Sequence, residues 1–205
     1  MKLVRLLTLA SVFAAPAAFA HVGHMHDHGS SNAFFEGFVH PLTGLDHLVM
    51  LLGLGMLISH FTASKSSSVA KPTLIIAALV SLTVGLAAGS LFGAISGVEL
   101  MIAASIFVVA LGIWNAFSAR ESLTQGLVVA SVGLVFFHGF AHGVEATGGL
   151  FGFGAGMLVA AFGIMFTGER VAHFLSTQFL STKFFANKWL GAGIAASGAA
   201  LMMAS

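Results

Sequence analysis

Two stretches carry the side chains that could do chemistry: His40-Pro41-Leu42-Thr43-Gly44-Leu45-Asp46-His47 and Phe137-His138-Gly139-Phe140-Ala141-His142-Gly143-Val144-Glu145. Imidazole with carboxylate is a donor set for a borderline divalent cation such as Ni2+, Co2+ or Zn2+. The same groups can also relay protons. In the second stretch His138 and His142 are four apart, so a helix puts both rings on one face, with Glu145 close behind on nearly the same face. Gly139 and Gly143 remove bulk beside both rings and would admit another helix or an ion. In the first stretch Pro41 suits the opening turn of a helix, where its missing N–H is no loss. If the segment is helical throughout, His40 and His47 lie about 20° apart on a shared face and Asp46 projects about 100° from His47. Asp46 then either coordinates an ion itself or holds an imidazole by a hydrogen bond. The spacing leaves both roles open.

The rest of the chain is nearly devoid of charge. Of 205 residues 58% are hydrophobic and 7% charged, where a soluble domain has about 25% charged. An all-α integral membrane protein is therefore expected, and in a bilayer a His, Asp or Glu is costly enough to be a functional candidate by default. The net charge of +1 comes without any basic cluster, which excludes nucleic acid as a partner because phosphate neutralisation needs several cations on one face. There is no cysteine, so disulfides, thiolate ligands and cysteine nucleophiles are excluded. No P-loop sequence offers to bind ATP, and no H-E-x-x-H pattern or recognisable Ser nucleophile suggests an enzyme. Neither catalytic residues nor a resident cofactor is expected.

The elements that must position the two motifs are transmembrane helices. Lys2 and Arg5, an apolar run from Leu6 to Ala15 and the ending Ala18-Phe19-Ala20 read as a signal peptide cleaved after Ala20. Residues 21–39 then form a His-rich extracytoplasmic segment and 40–205 a transmembrane domain. Its six spans are expected at about Leu42–Phe61, Thr73–Phe92, Val98–Phe117, Leu123–His142, Leu150–Thr167 and Trp189–Met203. With the mature N-terminus outside, Lys65, Lys71, Arg120, Arg170, Lys183 and Lys188 all fall on the inner side, as the positive-inside rule requires. Both motifs and Glu99 then fall on the outer side. His21, His24, His26 and His28 make a short polar tract of the kind that binds metal, and with Glu99 they form a secondary set of candidate ligands. His60, near the inner end of span one, is read as a packing residue. The link from Gly168 to Lys188, with Phe174, Phe179, Phe184 and Phe185, suggests a helix lying at the interface. Gly85, Gly89, Gly93, Gly97, Gly152 and Gly156 have the four-residue spacing that lets membrane helices approach closely. Met50, Met56, Met101, Met157 and Met165 have no clear spacing and read as packing.

With H-P-x-x-G-x-D-H in the first span and F-H-G-x-A-H-G-x-E in the fourth, the chain resembles the HupE/UreJ family of nickel permeases, found beside hydrogenase and urease genes in bacteria. The pattern residues are all present: His40, Pro41, Gly44, Asp46 and His47, then Phe137, His138, Gly139, Ala141, His142, Gly143 and Glu145. The resemblance implies ATP-independent passage of Ni2+, with Co2+ a second candidate, across the bacterial inner membrane into the cytoplasm. It also implies that His40, Asp46, His47, His138, His142 and Glu145 handle the metal. The larger nickel/cobalt transporter family has H-x4-D-H, whereas five residues separate His40 from Asp46 here, so the chain is not assigned there. The alternative is a membrane-embedded metal-binding assembly factor or a proton-relay protein. A homo-oligomer is compatible with either.

Overall fold

The computed structural model describes residues 33–63, 69–116, 121–146, 149–178 and 191–199. The expected signal peptide and the tract of His21, His24, His26 and His28 lie outside the described residues. Among those described, every regular element is an α-helix: α1 (Ala33–Thr43), α2 (Leu45–Thr62), α3 (Lys71–Phe92), α4 (Val98–Asn115), α5 (Glu121–Glu145), α6 (Leu150–Gln178) and α7 (191–199). Helix is what hydrocarbon demands, since it satisfies the backbone N–H and C=O groups within the segment. Helices α2 to α6 are each long and apolar enough to cross a bilayer. Helix α7 falls inside the sixth expected span, whose remaining residues are not described. Ile76, Val80 and Val84 on α3, Leu100 and Leu111 on α4, and Phe151 and Phe162 on α6 are exposed, an apolar exterior that suits lipid. Met50, Leu54, Leu57, Ile106, Val109, Met157 and Met165 fill the interior, the methionines among them as packing residues.

Several local expectations give way. Pro41 does not open a helix but lies buried inside α1. The helix ends two residues later, and Gly44 sits in extended conformation (φ −76°, ψ 112°) before α2 begins. His40 and His47 therefore do not share one continuous helix. Residues 168–178 are not a separate interfacial helix: α6 runs unbroken for 29 residues to Gln178, with no proline to interrupt it and Gly168 packed against the Leu52 carbonyl of α2. Gly93 and Gly97 do not pack helices together. They turn the chain between α3 and α4 with φ of 71° and 91°, in the left-handed region glycine tolerates.

The other glycines set the helix contacts. A Cβ at Gly85 or Gly89 of α3 would collide with the Phe136 or Phe140 carbonyl oxygen of α5, and one at Gly139 or Gly143 would collide with that of Leu82 or Leu86. Since 85 pairs with 136 and 89 with 140, the two helices run parallel with their backbones touching. Helix α6 meets the broken α1–α2 segment in the same way, through Gly37 and Gly156 and again through Gly55 and Gly168. Lipid gives apolar helices no hydrophobic reason to associate, so this close fit is a main source of cohesion.

Short links in the sequence leave alternate helix ends at opposite ends of the bundle. One end gathers the start of α2 and the finish of α5. At the other, Lys71 Nζ lies 2.7 Å from Glu169 Oε1, which also accepts from Arg170 at 3.2 Å, while the guanidinium of Arg170 lies 4.8 Å over the Phe166 ring. There too, His60 Nε2 hydrogen-bonds the Ala116 carbonyl, tying the end of α2 to the end of α4. A Cβ at Gly89 meets backbone, which cannot step aside, whereas Gly126 and Gly133 face open space. Gly89→Ala is expected to destabilise the bundle by about 1–3 kcal/mol, and Gly133→Ala to leave stability unchanged or slightly raised. Thermal unfolding in detergent measures both.

Candidate metal centre

The end that gathers the start of α2 and the finish of α5 is where both motifs meet. The broken first helix brings His40 in from α1 and His47 in from the first turn of α2. Helix α5 contributes His138 and His142 one turn apart. Its rotation is set by Gly139 and Gly143, whose missing side chains admit α3. Of the two roles those glycines could have, they serve helix approach.

The four rings form a continuous group. Centroids are 4.2 Å apart for His40 and His142, 4.4 Å for His47 and His142, 4.8 Å for His47 and His138, and 5.5 Å for His40 and His47. His47, His138 and His142 are 6%, 2% and 4% exposed, so water is largely excluded. Phe153 of α6 lies 6.0 Å from the His40 ring and 6.2 Å from the His142 ring. His40 stands ahead of the first span, and burial first, then the neighbouring His47, lowers its pKa below the ordinary histidine value. A neutral ring keeps a lone pair for a metal.

Hydrogen-bond accounting fixes where the lone pairs lie. Asp46 Oδ1 is 2.8 Å from His47 Nδ1, and an ionised carboxylate can only accept, so Nδ1 carries the hydrogen and Nε2 is bare. That bare nitrogen contacts His142 Nε2, which must donate for the contact to be attractive in the ion-free protein. The other nitrogen of His142 lies 3.8 Å from Glu145 Oε2. If an ion takes both Nε2 atoms, the His142 hydrogen moves to Nδ1, toward that carboxylate. Asp46 and Glu145 thus stand behind two imidazoles in the carboxylate–histidine arrangement that orients metal ligands.

His138 is held differently. Ser105 of α4 donates its one hydroxyl hydrogen to the Ile102 carbonyl at 2.6 Å, so its oxygen accepts from His138 Nε2 at 2.8 Å. The lone pair of a neutral His138 then falls on Nδ1, which is buried without a partner. Leaving a buried polar atom unsatisfied costs about 1–3 kcal/mol. The cost is relieved if a cation takes the lone pair.

His40, Asp46, His47, His138 and His142 therefore converge. Glu145 is at the rim, its side chain 55% exposed. Glu99, at the start of α4, is exposed and belongs to neither of the ligand groups that the structure brings together. Ser105 and Phe153 were not anticipated, although a lone hydroxyl in the apolar run from Val98 to Asn115 was a visible signal for the first. Nothing in the local sequence pointed to Phe153.

Comparison with known proteins agrees with the motifs. The family model described as HupE / UreJ protein matches residues 8–201. A relative, Protein HupE of Rhizobium leguminosarum bv. viciae, is 27% identical over 209 residues, covering 99% of this chain and 100% of the relative. No solved structure matches. Because Asp46 holds His47 at 2.8 Å from a sheltered position, whereas Glu145 stands farther off and exposed, Asp46→Ala is expected to weaken Ni2+ binding by about 10–100-fold. Glu145→Ala is expected to weaken it less. Equilibrium titration of the purified full-length protein compares the two.

Proposed function

The chain belongs to the HupE/UreJ family, and we propose that it is an ATP-independent carrier that brings Ni2+, with Co2+ as a second cargo, into the cytoplasm for hydrogenase or urease. The observation that carries this is the convergence of four imidazoles and Asp46, drawn from three helices, in a buried group at one end of a membrane bundle. Neutral imidazoles with two carboxylates nearby make a site that a borderline divalent ion enters readily and leaves without thiolate bonds to break.

The membrane is the bacterial inner membrane, with a cleaved signal peptide, six spans and the motif end facing the periplasm. What supports this orientation is the placement of the basic residues, with Lys71 and Arg170 at the end of the bundle away from His40, His47, His138 and His142. Entry then runs down an inside-negative potential, which supplies about 4.6 kcal/mol per 100 mV for two charges. No nucleotide is needed. The His21, His24, His26 and His28 tract would meet the ion ahead of the bundle.

An assembly factor or proton relay built on the same histidines would not move metal by itself. Proteoliposomes holding only this protein are expected to accumulate radioactive nickel, faster with an inside-negative potential than without. His47→Ala and His142→Ala are each expected to abolish accumulation while the protein still inserts. Full uptake by both variants would remove the cluster from the pathway, and no uptake by the unaltered protein would remove transport.

A further inference from the structure

The cluster is two groups of three with one shared member. Ligand atoms of His40, His47 and His142 lie within 4.8 Å of one another, and so do those of Asp46, His47 and His138. His47 belongs to both. Its two nitrogens face different neighbours, Nε2 toward His142 and Nδ1 toward Asp46, so the ring stands between the groups. In the second group His138 is almost wholly buried, and its Nδ1 is the buried side-chain atom with no hydrogen-bond partner among the described residues. Ser105 keeps it so by occupying Nε2. Without that hydroxyl, Nε2 loses its partner and nothing decides which nitrogen is bare.

We propose that Asp46, His47 and His138 form a second, deeper ion position, filled from a mouth position at His40, His47 and His142 by a step across the His47 ring, in which Nε2 releases the ion and takes up a hydrogen while Nδ1 gives up its own and receives the ion. Ser105 is the positioning residue that presents His138 Nδ1 to it. The inference deepens the metal-carrier reading and rests on it for the direction of the step. Holding ions at both positions would need both nitrogens of His47 at once and the loss of its hydrogen, so one ion is bound per chain. The deeper position also gives α4, which contributes no ligand, a part in the pathway through Ser105.

The test is NiCl2 titration into the full-length protein in lipid nanodiscs, read by calorimetry. The unaltered protein is expected to bind one Ni2+ per chain. His40→Ala, which retains the deep group, and His138→Ala, which retains the mouth group, are each expected to bind one ion more weakly, and the double variant none. Ser105→Ala is expected to weaken binding a further ~10–100-fold in the His40→Ala background and to have no effect in the His138→Ala background, because it acts only through His138. Ser105→Thr, which keeps the hydroxyl, restores the loss. His138→Phe replaces His138→Ala if the smaller side chain prevents folding. Two ions in the unaltered protein, loss of all binding in either single variant, or an equal effect of Ser105→Ala in both backgrounds would overturn the proposal. Nickel uptake by proteoliposomes from the same preparations tests the carrier reading separately, since its failure leaves these titrations free to decide between one position and two.

Discussion

A neutral imidazole has two nitrogens and one hydrogen, and where water is excluded each nitrogen must find a matching group. Much of the organisation at the histidine end of this bundle follows from that constraint. Asp46 takes the hydrogen of His47, so the other nitrogen of that ring is bare and turned toward His142. Ser105, having committed its own hydrogen to the Ile102 carbonyl, accepts a hydrogen bond from His138 Nε2 and leaves the remaining, buried nitrogen bare. The protein thus spends a carboxylate and a hydroxyl on fixing tautomers, and the bare nitrogens collect in one small volume.

Such an arrangement tolerates little movement, which gives the glycines their importance. Helix α5 can direct both its histidines inward because the adjoining face, about 100° round the helix, is stripped at Gly139 and Gly143, where α3 lies backbone to backbone against it. Helix α6 supports the broken first helix by the same means at Gly37 and Gly156 and at Gly55 and Gly168. Contacts of backbone on backbone have no rotamers to exchange, so they hold helix spacing more firmly than large side chains would. The break at Gly44 then allows one short stretch of sequence to offer imidazoles from two helices.

Much of this was written in the sequence. Composition and apolar runs gave membrane helices, with the first four expected spans close to the helices observed and the fifth running on past Thr167 to Gln178, since a bilayer leaves the backbone few alternatives. The i, i+4 spacing placed His138 and His142 on one face, and Gly85 and Gly89 were identifiable as contact points. What was hidden depended on relations between distant residues or on fine backbone conformation. Gly44 is one glycine among 25, and no pattern says that the helix breaks there and not at Pro41. Gly93 and Gly97 continued a four-residue spacing past the end of the helix, where a turn requirement replaced a packing one. The spacing left open whether Asp46 is a ligand or a support, and only the fold shows that it both lies 2.8 Å from His47 and belongs with His47 and His138 to one group of ligand atoms. The link between Ser105 and His138 spans 33 residues and could not be read from either alone.

The ion pair at the far end has a consequence of its own. Lys71 and Arg170 share one carboxylate, that of Glu169, so this trio is left with a positive excess. In the sequence, Lys65, Arg120, Lys183 and Lys188, with Glu121 the one further acidic residue among them, adjoin helix ends that alternation assigns to the same side, while Glu36, Asp46, Glu99 and Glu145 adjoin those of the histidine side. The bundle is polarised along its length. Such a field favours the approach of cations to the end that carries His40, His47, His138 and His142 over approach to the opposite face, so the two ends of the bundle are unlike before any ligand is touched.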